Sequence, residues 1–156
     1  MSQYYELGVT CLSIDEVKDL WKKNTEKFKI IYAPLDVEEE FEEICELVYL
    51  CGDLTFVVEE MDTFSRQGVP VGDNYKNVIQ RGRHKNIEMI GISQRPFGIP
   101  RIITAQAKEI YSFIQKEPRD IAYLKDYIGE EADKIPLLEK YNYLHYNNGE
   151  CKIEKC

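Results

Sequence analysis

Five consecutive residues, Leu54-Thr55-Phe56-Val57-Val58, lie between a turn at Gly52-Asp53 and two carboxylates, Glu59-Glu60. A short, nearly continuous apolar run bounded in this way predicts a strand buried on both faces, the habit of a parallel sheet covered by helices. The flanking segments alternate in the same sense. An apolar stretch over residues 4–12 and Phe28 to Tyr32 read as strands, the latter stopped by Pro34. Ser13 and Glu16 form an S-x-x-E capping box ahead of Ile14, Val17, Leu20 and Trp21 at helical spacing. Asp36 and Glu39 repeat that pattern ahead of Val37, Phe41, Ile44, Cys45 and Val48.

Downstream, Ser65 to Asp73 reads as a loop through Gly68, Pro70 and Gly72, and 74–83 as a helix. Ile87 to Ile92 predicts a strand, Ile99 to Lys108 a helix, Ile110 to Ile114 a strand, and Pro118 to Ile128 a helix with proline in its first turn. Tyr143–Tyr146, Asn147-Asn148-Gly149 and Cys151–Ile153 form a hairpin signal, because Asn-Gly suits a primed turn. Strands alternating with helices imply βαβ crossovers, so the expected class is α/β, a mostly parallel sheet flanked by helices, with a C-terminal β-hairpin. A chain of 156 residues with 44% hydrophobic content fits one domain with a real core.

Charge narrows the functional classes. Lysine and arginine number 20 against 28 acids, a net charge of −8, which argues against bulk-charge binding of nucleic acid but leaves room for a local basic surface. Eleven acids and no lysine or arginine lie between Asp36 and Asp62, whereas five basic residues and one acid lie between Arg81 and Arg101. That asymmetry lets an acidic face of one subunit meet a basic face of the next. No apolar run reaches the ~20 residues of a membrane helix, and the first residues lack a secretory pattern, so a cytoplasmic, membrane-free protein is expected. Five cysteines without a CxxC pair, and only His84 and His145 beside them, speak for reduced thiols and no zinc site.

Two strand ends carry chemistry, and ligands of open parallel sheets bind at such ends. Glu59 and Glu60 follow the first strand, where carboxylates can hold hydrated Mg²⁺ and polarise a water for attack on phosphate. Ser93-Gln94-Arg95-Pro96 closes the second, where a glutamine can position water or sense a terminal phosphate. Arg83, just ahead of that strand, has the planar fork that pairs with phosphate oxygens in an adjoining subunit. The plainer alternatives are a solvated loop at Glu59-Glu60 and a basic helix end at Arg81, Arg83 and Lys85.

Leu54-Thr55-Phe56-Val57-Val58-Glu59-Glu60 resembles a Walker B strand, and the run from Arg81 to Gln94-Arg95-Pro96 resembles the arginine, strand and Gln-Arg-Pro block of HerA/FtsK-type P-loop ATPases. The likeness extends over about residues 50–146, to a Leu137-Leu138 … Leu144-His145-Tyr146 ending. It implies a RecA-like core, incomplete over 1–138, followed by a hairpin over 139–156, in a ring that translocates or packages DNA, as in bacteriophage. It further implies Glu59 as the metal-associated acid, Glu60 as the water-activating glutamate, Gln94 as the sensor and Arg83 as the finger on a neighbour's nucleotide, with ATP and Mg²⁺ as cofactors. Arg81 and Lys85 are candidates for DNA contact.

Two departures follow. The family usually has aspartate where Glu59 stands, and no G-x-x-x-x-G-K-[ST] phosphate loop occurs in this sequence. A sheet lacking a central strand exposes unpaired backbone groups, so the expectation is either part of an ATPase that is inactive without a supplied Walker A segment, or a non-catalytic module that binds a Walker A-bearing partner and regulates its assembly. A third reading is an unrelated α/β domain.

Overall fold

The computed structural model describes residues 6–23 and 27–156. Residues 4–5 of the expected first strand lie outside them. Contacts divide the chain into two compact units, Met1–Leu54 with Gly72–Ile87, and Thr55–Val71 with Glu88–Cys156.

In the first unit, strand β1 (Val9–Cys11) pairs in parallel with β2 (Ile30–Tyr32), Val9 opposite Ile30, on either side of helix α1 (Ile14–Lys23). The capping box forms: Ser13 Oγ accepts the Glu16 amide at 3.3 Å, and Glu16 Oε2 accepts the Leu12 amide at 2.7 Å. Helix α2 (Val37–Cys51) starts where Asp36 Oδ1 accepts the Glu39 amide at 3.1 Å. It buries Phe41, Ile44, Cys45 and Val48 and stops at Gly52, whose φ of +65° and close approach to the Lys85 carbonyl leave no room for a Cβ.

Helix α4 (Asp73–Arg81), which follows the short α3 of the second unit (Met61–Phe64), packs Tyr75 edge-on against Phe41 with ring centroids 4.8 Å apart. Its first turn has no cap of its own. Glu42, reaching over from α2, accepts the amides of Asn74 (2.9 Å) and Tyr75 (3.2 Å). A carboxylate on free N–H groups also meets the positive end of the helix dipole. The carboxylate passes so close to Gly72 that a Cβ there would lie 2.1 Å from it. Gly72→Ala and Glu42→Ala should therefore each lower stability by about 1–2 kcal/mol through loss of one cap. In a urea-unfolding double-mutant cycle the double variant should cost little more than the worse single; full additivity would refute the shared cause.

The second unit holds two sheets. Strands β3 (Leu54–Val58) and β4 (Ile87–Gly91) pair with each other. Partners ascend together, from Thr55 Oγ1 with Glu88 to the Ile92 amide on the Val58 carbonyl at 2.9 Å, which is the parallel sense. After α5 (Arg101–Thr104), β5 (Glu109–Ser112) joins β6 (Asn142–Asn147) and β7 (Glu150–Lys155) in an antiparallel sheet, order β5-β6-β7. Helix α6 (Pro118–Ile128), a 3-10 stretch (Gly129–Leu137) and the residue that follows it supply a core of Leu124, Ile128, Ala132, Ile135 and Leu138 around Leu144.

Three expectations need correction. Among the described residues the strands form three small sheets, the largest antiparallel, rather than one mostly parallel sheet, because β5 takes the hairpin as its partner. Strand β3 is not buried on both faces: Val58 is 3% exposed but Val57 is 51% exposed. The helix expected over 99–108 shrinks to α5. Ile102, Ile103 and Thr104 are β-branched, and the chain tightens after them into bonds from Gln106 to Ile103 and from Ala107 to Thr104.

Candidate active site

Strand β3 delivers Val58 to the interior and the next buried residue is Met61, both 3% exposed. Two residues must reverse the chain between them, and Glu60 does so in the left-handed region at φ 46°, ψ 47°. That conformation costs a non-glycine residue about 1 kcal/mol and persists only where the surroundings impose it. Here the Met61 amide is bonded to the Ile92 carbonyl (2.9 Å) and the Thr63 amide to the Glu60 carbonyl (2.7 Å), locking the turn on both sides. Glu59 and Glu60 stand exposed at its tip.

The segment after β4 runs along the same tip. Gln94 Nε2 donates to Glu60 Oε1 at 3.4 Å, a long, solvent-exposed bond. Beside it, Ser93 Oγ donates to Asp62 Oδ1 at 2.8 Å and accepts the Arg95 amide at 3.1 Å. The two strand ends expected to carry chemistry are thus brought to one rim, and Glu60 and Gln94 touch.

What holds Gln94 in place is less expected. Asp120, in the first turn of α6, is fully buried, accepting Arg95 Nε at 2.8 Å on one oxygen and the Phe97 amide at 3.0 Å on the other. Gln115 Nε2 reaches the Gln94 carbonyl at 3.4 Å. The Tyr123 hydroxyl donates to the Ile99 carbonyl at 3.0 Å; burial pushes this phenol's pKa up and keeps its proton available. The Gly98 carbonyl accepts the Gln67 amide at 2.9 Å. A loop bonded at so many points is pre-organised before any ligand arrives. Asp62, Ser93, Arg95 and Asp120 were not among the expected site residues. Asp120 had a signal: it occupies the stripe with Tyr123, Leu124 and Ile128, and a carboxylate on an apolar stripe needs an internal partner.

Replacing Asp120 by alanine leaves the Phe97 amide without its acceptor and Arg95 without its anchor. The expected loss is about 2–4 kcal/mol, with Asp120→Asn intermediate because its carbonyl can still accept from Phe97. Chemical denaturation, together with amide exchange at Phe97, which should be faster, checks this; wild-type stability in Asp120→Ala would mean the buried carboxylate holds nothing.

Arg81, at the end of α4, and Arg83 and Lys85, in the 3-10 turn Gly82–Lys85, belong to the first unit and are exposed. Among the described residues Arg83 makes no ion pair, whereas Lys85 lies over the Tyr49 ring, 5.8 Å from its centroid. The described residues gather no group of three or more His, Cys, Asp or Glu fit to cage a metal. The oxygen donors that the tip offers a cation are the exposed carboxylates Glu59 and Glu60. Among the described residues no helix is long and apolar enough to cross a membrane.

No family model and no curated protein matches the sequence. Solved structures do match. The genome packaging NTPase B204 from Sulfolobus turreted icosahedral virus 2 in complex with ATP-gammaS superposes with a TM-score of 0.84 at 21% identity, covering 99% of this chain and 76% of that one. The same protein in complex with AMPPCP gives 0.80 at 22% identity over 99% and 77%. B204 of Sulfolobus turreted icosahedral virus, described as a DNA-packaging ATPase, gives 0.77 at 22% over 99% and 76%. The chain has the fold of a viral packaging NTPase.

Proposed function

We propose that this chain is part of a HerA/FtsK-like ring ATPase that translocates or packages DNA. The observation that carries the reading is the Glu60–Gln94 pair at the tips of adjacent strands, on a fold shared with nucleotide-bound packaging NTPases. Glu60, exposed and turned outward by its left-handed backbone, takes the proton of the attacking water. Gln94, fixed by the loop behind it, holds that water and reports the terminal phosphate. Glu59 would hold Mg²⁺, which when bound neutralises phosphate charge. Arg83 acts on the nucleotide of the neighbouring subunit, and Arg81 and Lys85 lie along the DNA path.

A second reading has its own support: the sequence contains no G-x-x-x-x-G-K-[ST]. On this reading the chain is a degenerate ATPase module that assembles with a partner carrying the loop. The two readings separate by measuring MgATP hydrolysis and sedimentation of the chain alone and mixed with a phosphate-loop-bearing ATPase. Turnover and ring formation only in the mixture, dependent on Glu60 of this chain, support the first. Co-assembly with turnover indifferent to Glu60 supports the second. No assembly and no nucleotide effect under either condition removes both.

A further inference from the structure

We infer that Arg95, aimed by the buried carboxylate of Asp120, is a phosphate-binding residue of the Glu60–Gln94 rim and that its ligand is the polyphosphate of a nucleotide. The inference rests on the nucleotide reading given above. An arginine whose only task was to neutralise a buried aspartate would be expected to present several donors to it. Here only Nε is used, at 2.8 Å, and the side chain remains 56% exposed. Among the described residues the guanidinium makes no other hydrogen bond or ion pair. Asp120 thus fixes the plane of the fork at its base while leaving the Nη donors for a second, planar or tetrahedral, oxygen-rich partner.

The backbone completes the device. Asp120 binds both the Arg95 side chain and the Phe97 amide, and the Gly98 amide closes back on the Arg95 carbonyl at 2.9 Å, so the residue next to Gln94 cannot swing away. The Arg95–Asp120 pair is formally neutral, so directional donors alone would bind an anion weakly. Arg119, exposed, lying 6.0 Å from the centroid of the Phe97 ring and without an ion pair among the described residues, brings a second positive charge to the same loop. Ligand oxygens would then meet a fork already anchored through Nε, with a second positive charge nearby.

The test is ¹⁵N–¹H NMR titration of the full chain with magnesium pyrophosphate, MgADP, MgATP and a short DNA duplex, observing the Arg95 Nε–H and Gln94 side-chain signals. Both should shift with pyrophosphate and the nucleotides. Arg95→Gln, which keeps a donor for Asp120 but removes the fork, should weaken that binding about tenfold or more. Asp120→Asn should weaken it severalfold while the Arg95 Nε–H loses its protection. Three results overturn the inference. Unchanged affinity in Arg95→Gln, with Glu60 and Gln94 still responding to MgATP, removes Arg95 and leaves the rim reading standing. A response to the duplex but not to pyrophosphate assigns the fork to DNA. No response to any polyphosphate, from the chain alone and from the chain mixed with the phosphate-loop-bearing ATPase, sinks the rim reading as well.

Discussion

In an assembly that turns over ATP, Glu60→Gln lowers kcat by about 10²–10⁴-fold while nucleotide affinity stays within about twofold of wild type. Glutamine keeps the length of the side chain and can still meet Gln94, so the position of the attacking water is preserved. What is lost is the capacity to accept a proton. The separation of kcat from binding is therefore the informative quantity. A fall in affinity with unchanged turnover would make Glu60 a binding group. Unchanged turnover and affinity would leave its outward, left-handed placement without a catalytic use. Single-turnover hydrolysis and equilibrium binding on the same preparation make the distinction.

Arg83→Ala should lower turnover by about 10³-fold in the assembled state, the scale of removing an arginine that offsets charge on a transferring phosphoryl group. Because the proposed target is a neighbour's nucleotide, the loss should be absent wherever subunits do not meet. Mixing supplies the decisive measurement. A ring doped with Arg83→Ala subunits should lose activity in proportion to the interfaces affected, and an excess of Glu60→Gln, Arg83-intact subunits should restore part of it. Activity of Arg83→Ala indistinguishable from wild type in a sedimenting ring would remove the finger and return Arg83 to an exposed basic turn.

The residues that could be read from sequence are those whose role is local. The capping box at Ser13 forms through Glu16 and the Leu12 amide because its groups are three and four residues apart. The hairpin turn forms at Asn148-Gly149, both at positive φ, where those residue types are least penalised. Helix α6 spans Pro118–Ile128 as expected, with its proline in the first turn. The long-range bonds were opaque for the opposite reason. Glu42 caps a helix 32 residues away, and Asp120 holds an arginine 25 residues away. Nothing in periodicity or spacing pairs one acid with one distant donor when the chain has 28 acids to choose from.

The same division runs through the fold and the site. Sequence by itself determined most of the strands and longer helices and which polar residues end up at the strand tips, since both follow from side-chain pattern within a few residues. Tertiary structure alone decided that β5 joins the hairpin rather than a parallel neighbour, that Val57 keeps an open face, and that Glu60 must turn left-handed to reach Gln94. Those outcomes depend on which backbone edges and buried donors find each other in space. That selection is made by packing and hydrogen-bond satisfaction across the whole unit, terms that no short window of residues contains.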